Sequence, residues 1–429
     1  MLESQKRIDT LLSGLQRQIA DVTAELKSPP LAQALETLLH DPDRLPDSVT
    51  EKLATQLIDS LDDLQLQLLP SVSLLTDGFF GYLDSKVLAT VVSARVPDIL
   101  GEHGPLPVSE LASHANIQPE RLDQLLDALT NKGIFTKMSK PDGSASSAIY
   151  ANNRASTLLM RSHWTQWHRW ADLYPNDFYN IASAIPQAVA TGESRNAAQI
   201  GYGIDVNTTL FGYLETQPAL AEKFHRTLGA GAGAQAAGLP VDYPWGDELA
   251  GECVLDIGGG NGEFLASILR GHPSLRGSIL ELGNVVDLAK NEFFGETGRF
   301  RDVAHQVTDL IKGNFLQAVP PSKIYVMKWC LHNWGDDMVV KILQNVRRAI
   351  LVGDVGKVEP RFLIFESVKE PGRSGRLARY GDLVMMMTTN GKERYLDDWK
   401  RLARLGGWRV EKVYPIRRAW PCAIDLRPV

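Results

Sequence analysis

Near the middle of the chain an apolar strand runs straight into glycines: Val254-Leu255-Asp256-Ile257-Gly258-Gly259-Gly260-Asn261-Gly262, with a helix starting near Glu263. Few features restrict a fold more. Glycines let the backbone approach a ligand closely and present its N–H groups to it. Such a turn belongs at the carboxyl edge of a parallel sheet. The segments that follow agree. GSILEL, KIYVMKWCL and RFLIFESV alternate with helical stretches such as MVVKILQNVRRAI, as expected of a parallel, doubly wound α/β sheet. GWRVEKVYPI and WPCAIDLRP then supply two antiparallel closing strands.

Glycine spacing narrows the ligand. Gly258, Gly260 and Gly262 fit G-x-G-x-G, but the third glycine of the dinucleotide pattern G-x-G-x-x-G falls at Glu263. An acid there would face a pyrophosphate unfavourably. S-adenosylmethionine has no phosphate and meets no such objection. Glu281 ends the next strand, at the distance where an acid accepts hydrogen bonds from both ribose hydroxyls. Asp256, inside the glycine motif, is placed in the same cofactor site.

The segment Met327-Lys328-Trp329-Cys330-Leu331-His332-Asn333-Trp334-Gly335-Asp336-Asp337 leaves the sheet at its carboxyl edge, where open α/β sheets place ligands. A histidine there suits a general base, because its ordinary pKa of about 6.5 lets it take a proton near neutral pH. Glu366 ends RFLIFES, and Glu393 lies in Asn390-Gly391-Lys392-Glu393-Arg394. A carboxylate accepting His332 Nδ1–H would fix the tautomer and stabilise the imidazolium. Alone, each of these residues reads equally well as a strand-end histidine or a surface ion pair.

The chain's 429 residues imply two or three domains, on a prior of about 150 residues each. Residues 1 to about 60 read as helix, with Leu11, Leu12, Leu15, Ile19 and Val22 forming one apolar stripe and Asp41-Pro42 and Pro46 breaking it. Three short helical patterns follow residue 84, with Ser109 placed to cap the second and Pro119 opening the third. A polar segment, KPDGSASSAIYANN, then reads as the wing of a winged helix. Residues 101–150 carry six acids and four bases, a poor match to phosphate recognition, so the module is expected to dimerise and not to bind nucleic acid. The aromatics from Trp164 to Tyr179 read mainly as core, and GAGAGAQAAGLP (229–240) as either close helix packing or a hinge.

Three scattered cysteines, Cys253, Cys330 and Cys422, give neither a disulfide framework nor a metal-ligand spacing. No signal segment and no membrane-length apolar run is found, so the expected location is cytoplasmic.

Taken together, these segments resemble the plant-type and fungal small-molecule O-methyltransferases of the caffeic acid and flavonoid group, over roughly residues 85–425. The carrying pieces are FGYLETQPALAEKFHRTL, VLDIGGGNGEFL, ILELGNVV, GNFL, MKWCLHNWGDD, FESV, DLVMMMTTNGKERYLDDWKRL and GGWRV. The resemblance implies a Rossmann-like class I methyltransferase domain at 191–429, a winged-helix dimerisation domain at 84–190 and an N-terminal helical arm at 1–83. Gly258 and Gly260 would meet the cofactor's amino-acid end, and Glu281 its ribose. Asn314 and Phe315 would flank the adenine, and Lys328 and Trp334 would complete the cofactor site. His332 would be the base, bracketed by Glu366 and Glu393. Trp329, Met386 and Asn390 would face the acceptor.

Three departures stand out: Glu281-Leu282-Gly283 where Asp-Leu-Pro is usual, Asn314 where Asp is usual, and His332-Asn333-Trp334 where His-Asp-Trp is usual. None removes a catalytic group. The expectation is therefore metal-independent, in-line methyl transfer to a hydroxyl of a small aromatic or polyketide-type metabolite, by a homodimer. A relative that keeps the cofactor but runs a pericyclic or dehydration step is the rival reading on the same fold.

Overall fold

The computed structural model describes residues 1–138, 148–350 and 358–429. It divides into two compact units, Met1–Leu61 and Asp62–Val429.

The first unit is helical. Helix Leu2–Leu26 ends at Lys27, a new helix opens at Pro29 behind Ser28, and a π-helical turn, Glu36–His40, closes it. The break at Ser28-Pro29-Pro30 was not anticipated, although proline at a first helical position is where a new helix begins. Helix Ser48–Leu68 follows and crosses into the second unit. None of these helices contains a buried residue.

In the second unit, helix Ser71–Ser93 runs through the expected boundary at residue 83 without interruption. It leads into a compact three-stranded module. Strands β1 (Leu106–Pro107), β2 (Thr136–Met138) and β3 (Ile149–Ala151) form an antiparallel sheet in the order β1-β3-β2. Helices Val108–Ala115 and Pro119–Asn131 bury Leu111, Leu122 and Leu126 against it. Pro119 opens its helix as expected. Ser109 does not cap: the N-cap is Pro107, and Ser109 sits inside the first turn. The wing expected between β2 and β3 falls mostly at 139–147, outside the described residues.

The small-residue stretch is resolved as packing. Helix Pro218–Ala234 continues through the glycines, and a Cβ at Gly231 would overlap the Trp170 ring. Trp170, Tyr174, Phe178 and Phe224 stack in sequence along that helix.

The large sheet carries the order β6-β5-β4-β7-β8-β10-β9, with β4 (Cys253–Ile257), β5 (Arg276–Glu281), β6 (Val307–Lys312), β7 (Ile324–Lys328), β8 (Arg361–Ser367), β9 (Trp408–Tyr414) and β10 (Pro421–Pro428). Strands β4 to β8 are parallel, and β10 pairs antiparallel with both β8 and β9. The order reverses between β4 and β7, so a crevice opens at their carboxyl ends. Two apolar layers seal the sheet, one centred on Trp245, Leu265 and Phe293 and the other on Leu343, Trp399 and Trp408. Among the described residues, no helix is long and apolar enough to cross a membrane.

Candidate active site

The glycine turn sits where the sequence placed it. Gly258, Gly260 and Gly262 have φ of 70°, 57° and 91°, values an L side chain resists. Gly262 caps helix Glu263–Gly271, and a Cβ there would collide with the Phe293 ring. Glu281 reaches back across the turn. Its Oε1 accepts the Gly260 N–H at 3.4 Å and its Oε2 accepts the Leu282 N–H at 2.6 Å. The first contact is long, and a ligand hydroxyl could replace it. Burial raises the Glu281 carboxyl above its ordinary range.

Beneath the turn lies Asp256, fully buried, with neither carboxylate oxygen hydrogen-bonded. Burial pushes its pKa up to about 7, against the opposing pull of Lys328. Lys328 is itself pushed down by burial, and its ammonium lies 4.5 Å from the Trp329 ring centroid and 5.7 Å from that of Phe264. A buried carboxylate without partners and an ammonium beside it suit a ligand end that carries both an ammonium and a carboxylate. The Phe315 and Trp334 rings stand perpendicular, 6.5 Å apart, and Phe315 borders Gly258. Asn314 Oδ1 accepts the Leu316 N–H at 2.9 Å, which keeps one lone pair for a ligand amine. These residues fit S-adenosylmethionine, with its ammonium, carboxylate, ribose diol and adenine.

At the end of β7 the chain turns sharply. Trp329 has φ 49°, a conformation that costs a bulky residue about 1–3 kcal/mol. Its N–H donates to Phe365 O at 3.0 Å. The next two N–H groups, of Cys330 and Leu331, donate to Glu366 Oε1 at 3.0 and 2.7 Å. This clasp fixes the short 3-10 helix Leu331–Asn333 and so the imidazole of His332.

His332 Nδ1 lies 2.8 Å from Glu393 Oε1 and 3.5 Å from Glu366 Oε2, with 12% of the histidine side chain exposed. A carboxylate can only accept, so Nδ1 carries the proton and Nε2 keeps the lone pair in the neutral ring. Burial alone would lower the histidine pKa, but Glu366 and Glu393 outweigh it and raise the pKa above its ordinary 6.5. Glu366, completely buried, is raised by that burial. The sequence showed no metal-type ligand cluster, because His332 and Glu393 are 61 residues apart; the fold nonetheless gathers His332, Glu366 and Glu393 with ligand atoms within 4.8 Å.

Glu393 arrives on a loop pressed against the histidine. Lys392 N–H donates to His332 O at 2.8 Å, and a Cβ at Gly391 would overlap that same oxygen. Asp382 Oδ1 accepts the Glu393 N–H at 2.9 Å. Asn390, with φ 55°, ends helix Arg376–Thr389 just before this loop. Met386 lies further back on that helix, against the cluster containing Phe178 and Phe224.

Residues 187–409 match the O-methyltransferase domain, and residues 76–162 match the O-methyltransferase dimerisation domain. The chain belongs to the S-adenosylmethionine-dependent O-methyltransferases. It is 56% identical over 424 residues to the O-methyltransferase gliM of Aspergillus fumigatus, covering 99% of this chain and 95% of that one. It is 45% identical over 401 residues to the O-methyltransferase verK of Clonostachys rogersoniana, covering 93% and 95%. Its fold matches that of CalO1, a methyltransferase in calicheamicin biosynthesis, in its S-adenosylhomocysteine-bound form, with a TM-score of 0.69 at 23% identity over 84% of this chain and 98% of that one. The O-methyltransferase domain contains every residue singled out from the motifs between Asp256 and Glu393.

Three working parts escaped the sequence reading: the Glu366 grip on two backbone N–H groups, the Asp382 grip on Glu393, and the buried Arg394 described below. Only the run KER within GKERY hinted at the last.

Proposed function

We propose that this O-methyltransferase methylates a hydroxyl of a small aromatic or polyketide-type secondary metabolite, with His332 as general base. The observation that carries this reading is the His332–Glu393 contact of 2.8 Å. It leaves Nε2 as the nitrogen able to take a proton, at the carboxyl edge of the sheet beside the cofactor turn.

S-adenosylmethionine, when bound, supplies an electrophilic methyl on a positive sulfur. The chain's own residues do the rest. Gly258, Gly260, Asp256 and Lys328 hold the amino-acid end, and Glu281 holds the ribose. Asn314, Phe315 and Trp334 enclose the adenine. Trp329, Met386 and Asn390 face the acceptor. His332 Nε2 takes the hydroxyl proton as the oxygen attacks, and Glu393 and Glu366 stabilise the imidazolium. Orientation of the two reactants contributes most, about 7–11 kcal/mol, and the base adds roughly 10²–10⁴-fold.

The three-part division at 1–83, 84–190 and 191–429 goes with a homodimer. The match to a dimerisation domain supports it, as do the exposed Phe79 and Phe80 on helix Ser71–Ser93, whose first buried residue is Ala89.

Calorimetric titration with S-adenosylhomocysteine, run beside NAD, tests the cofactor assignment, and a screen of phenolic acceptors tests the reaction. Binding of the homocysteine compound alone, with acceptor-dependent methyl transfer, supports the reading. Failure to bind it overturns the reading.

A further inference from the structure

The imidazole and carboxylates at the site are more than an acid–base unit. Glu366 Oε2 and Glu393 Oε2 are buried, and neither has a hydrogen-bond partner. Glu366 Oε2 lies 3.5 Å and Glu393 Oε1 2.8 Å from His332 Nδ1, and each of the three residues offers a ligand-type atom within 4.8 Å of the others. Among the described residues, no other group of three histidine, cysteine, aspartate or glutamate side chains converges in this way.

We propose that His332, Glu366 and Glu393 form an inhibitory site for a divalent cation of the zinc class. The dimensions suit it. Bonds of about 2.0–2.1 Å to nitrogen and carboxylate oxygen set tetrahedral ligands about 3.4 Å apart, and Nδ1 stands 3.5 Å from Glu366 Oε2. Glu393 Oε1 stands at 2.8 Å, inside that spacing, so on ion binding the Glu393 carboxylate must turn, giving up its Nδ1 contact to ligate the ion. Glu366 keeps Oε1 on the Cys330 and Leu331 N–H groups, which orients the ligand from behind. Two carboxylates and one imidazole suit zinc or cobalt(II). Calcium and magnesium demand six or more oxygens.

The proton accounting gives the inhibition. An ion on Nδ1 requires that nitrogen to give up its proton. In the neutral ring the proton moves to Nε2, and in the imidazolium one proton is released to solvent while Nε2 keeps its own. Either way Nε2 becomes a donor with no lone pair, and the acceptor hydroxyl keeps its proton. The inhibition rests on the general-base reading of His332; the binding does not.

The test uses the full chain freed of metal by chelator. Cobalt(II) is followed by visible absorption and zinc by calorimetry, with no turnover needed. One ion per chain is expected, with affinity falling about 100-fold or more in His332→Ala and in Glu393→Gln. S-adenosylhomocysteine affinity, measured on the same samples, should stay within about threefold, showing that both variants are folded. Absence of binding, or binding equal in both variants and the wild type, overturns the site. Wild-type turnover should fall with zinc and recover with chelator. Zinc held by the trio with turnover untouched overturns the inhibition and the general-base role together, whereas absent binding leaves that role standing.

Discussion

Arg394 and Asp336 join the two loops that carry the reacting groups. Arg394, 1% exposed, places Nη2 3.0 Å from Asp336 Oδ1 and donates to Trp334 O at 2.7 Å and, through Nη1, to Leu331 O at 3.4 Å. Those carbonyls flank His332, and Arg394 follows Glu393 in the chain. Lys392 and Arg401 also reach Asp336, and the Arg401, Lys392 and Arg394 contacts overcome its burial and hold its carboxyl far below the usual range.

Asp336→Ala should therefore act on the chemistry from a distance. Without its partner, the buried guanidinium no longer fixes the Glu393 loop, and breaking such a pair costs about 3–5 kcal/mol. We expect a reduced kcat with S-adenosylhomocysteine affinity preserved, and partial rescue by Asp336→Glu. Steady-state kinetics beside calorimetry would show it. Equal loss of kcat and cofactor affinity would point instead to general unfolding.

The pH dependence follows from the raised pKa of His332. Its base form appears only as pH climbs through that raised value, so turnover should rise along an acidic limb lying above 6.5. Glu393→Gln removes the charge while leaving an amide oxygen that can still accept the Nδ1–H. The limb should move to lower pH while the plateau falls. The same shift has a stability consequence of definite sign. A group whose folded pKa is raised adds stability in full below its unfolded pKa, and that stability is lost as pH rises through the folded value. Urea titrations at several pH values should find this contribution shrinking on the alkaline side, and less so in Glu393→Gln.

Gly231→Ala tests the aromatic ladder. Alanine would ordinarily strengthen a helix by about 1 kcal/mol relative to glycine. Here its methyl overlaps the Trp170 ring. Overpacking of about 1–3 kcal/mol should prevail, and denaturant midpoints should fall.

Phe79 and Phe80, 65% and 54% exposed, lie within the residues that match the dimerisation domain. Replacing both with glutamate should convert a dimer to a monomer in sedimentation velocity. An unchanged dimer would place the subunit interface elsewhere.

Much of the sheet was legible because its central strands are continuous apolar runs that stop at functional residues. β4 stops at Gly258, β5 at Glu281, β7 at Lys328 and β8 just past Glu366. β6 was missed for the converse reason: it lies at the sheet edge, and Val307–Lys312 contains no fully buried residue to create such a run. The site was legible as a set of residues but not as a circuit. The family resemblance nominated Glu366 and Glu393 as equal brackets of His332. Only the fold shows that Glu393 takes the imidazole proton contact while Glu366 spends one oxygen on two backbone N–H groups. Ser109 misled because its residue type suits a cap, whereas Pro107 enters the helix from β1 and sets the first turn. The Arg394 clasp depends on carbonyls, which no side-chain pattern encodes.

The most direct test of the central claim is the rate of S-adenosylhomocysteine formation, with an acceptor found by the phenol screen, in the wild type and in His332→Ala, with cofactor affinity measured alongside. The account predicts a loss of roughly 10²–10⁴-fold with affinity nearly unchanged. Turnover equal to the wild type in His332→Ala would contradict the assignment of His332 as the base.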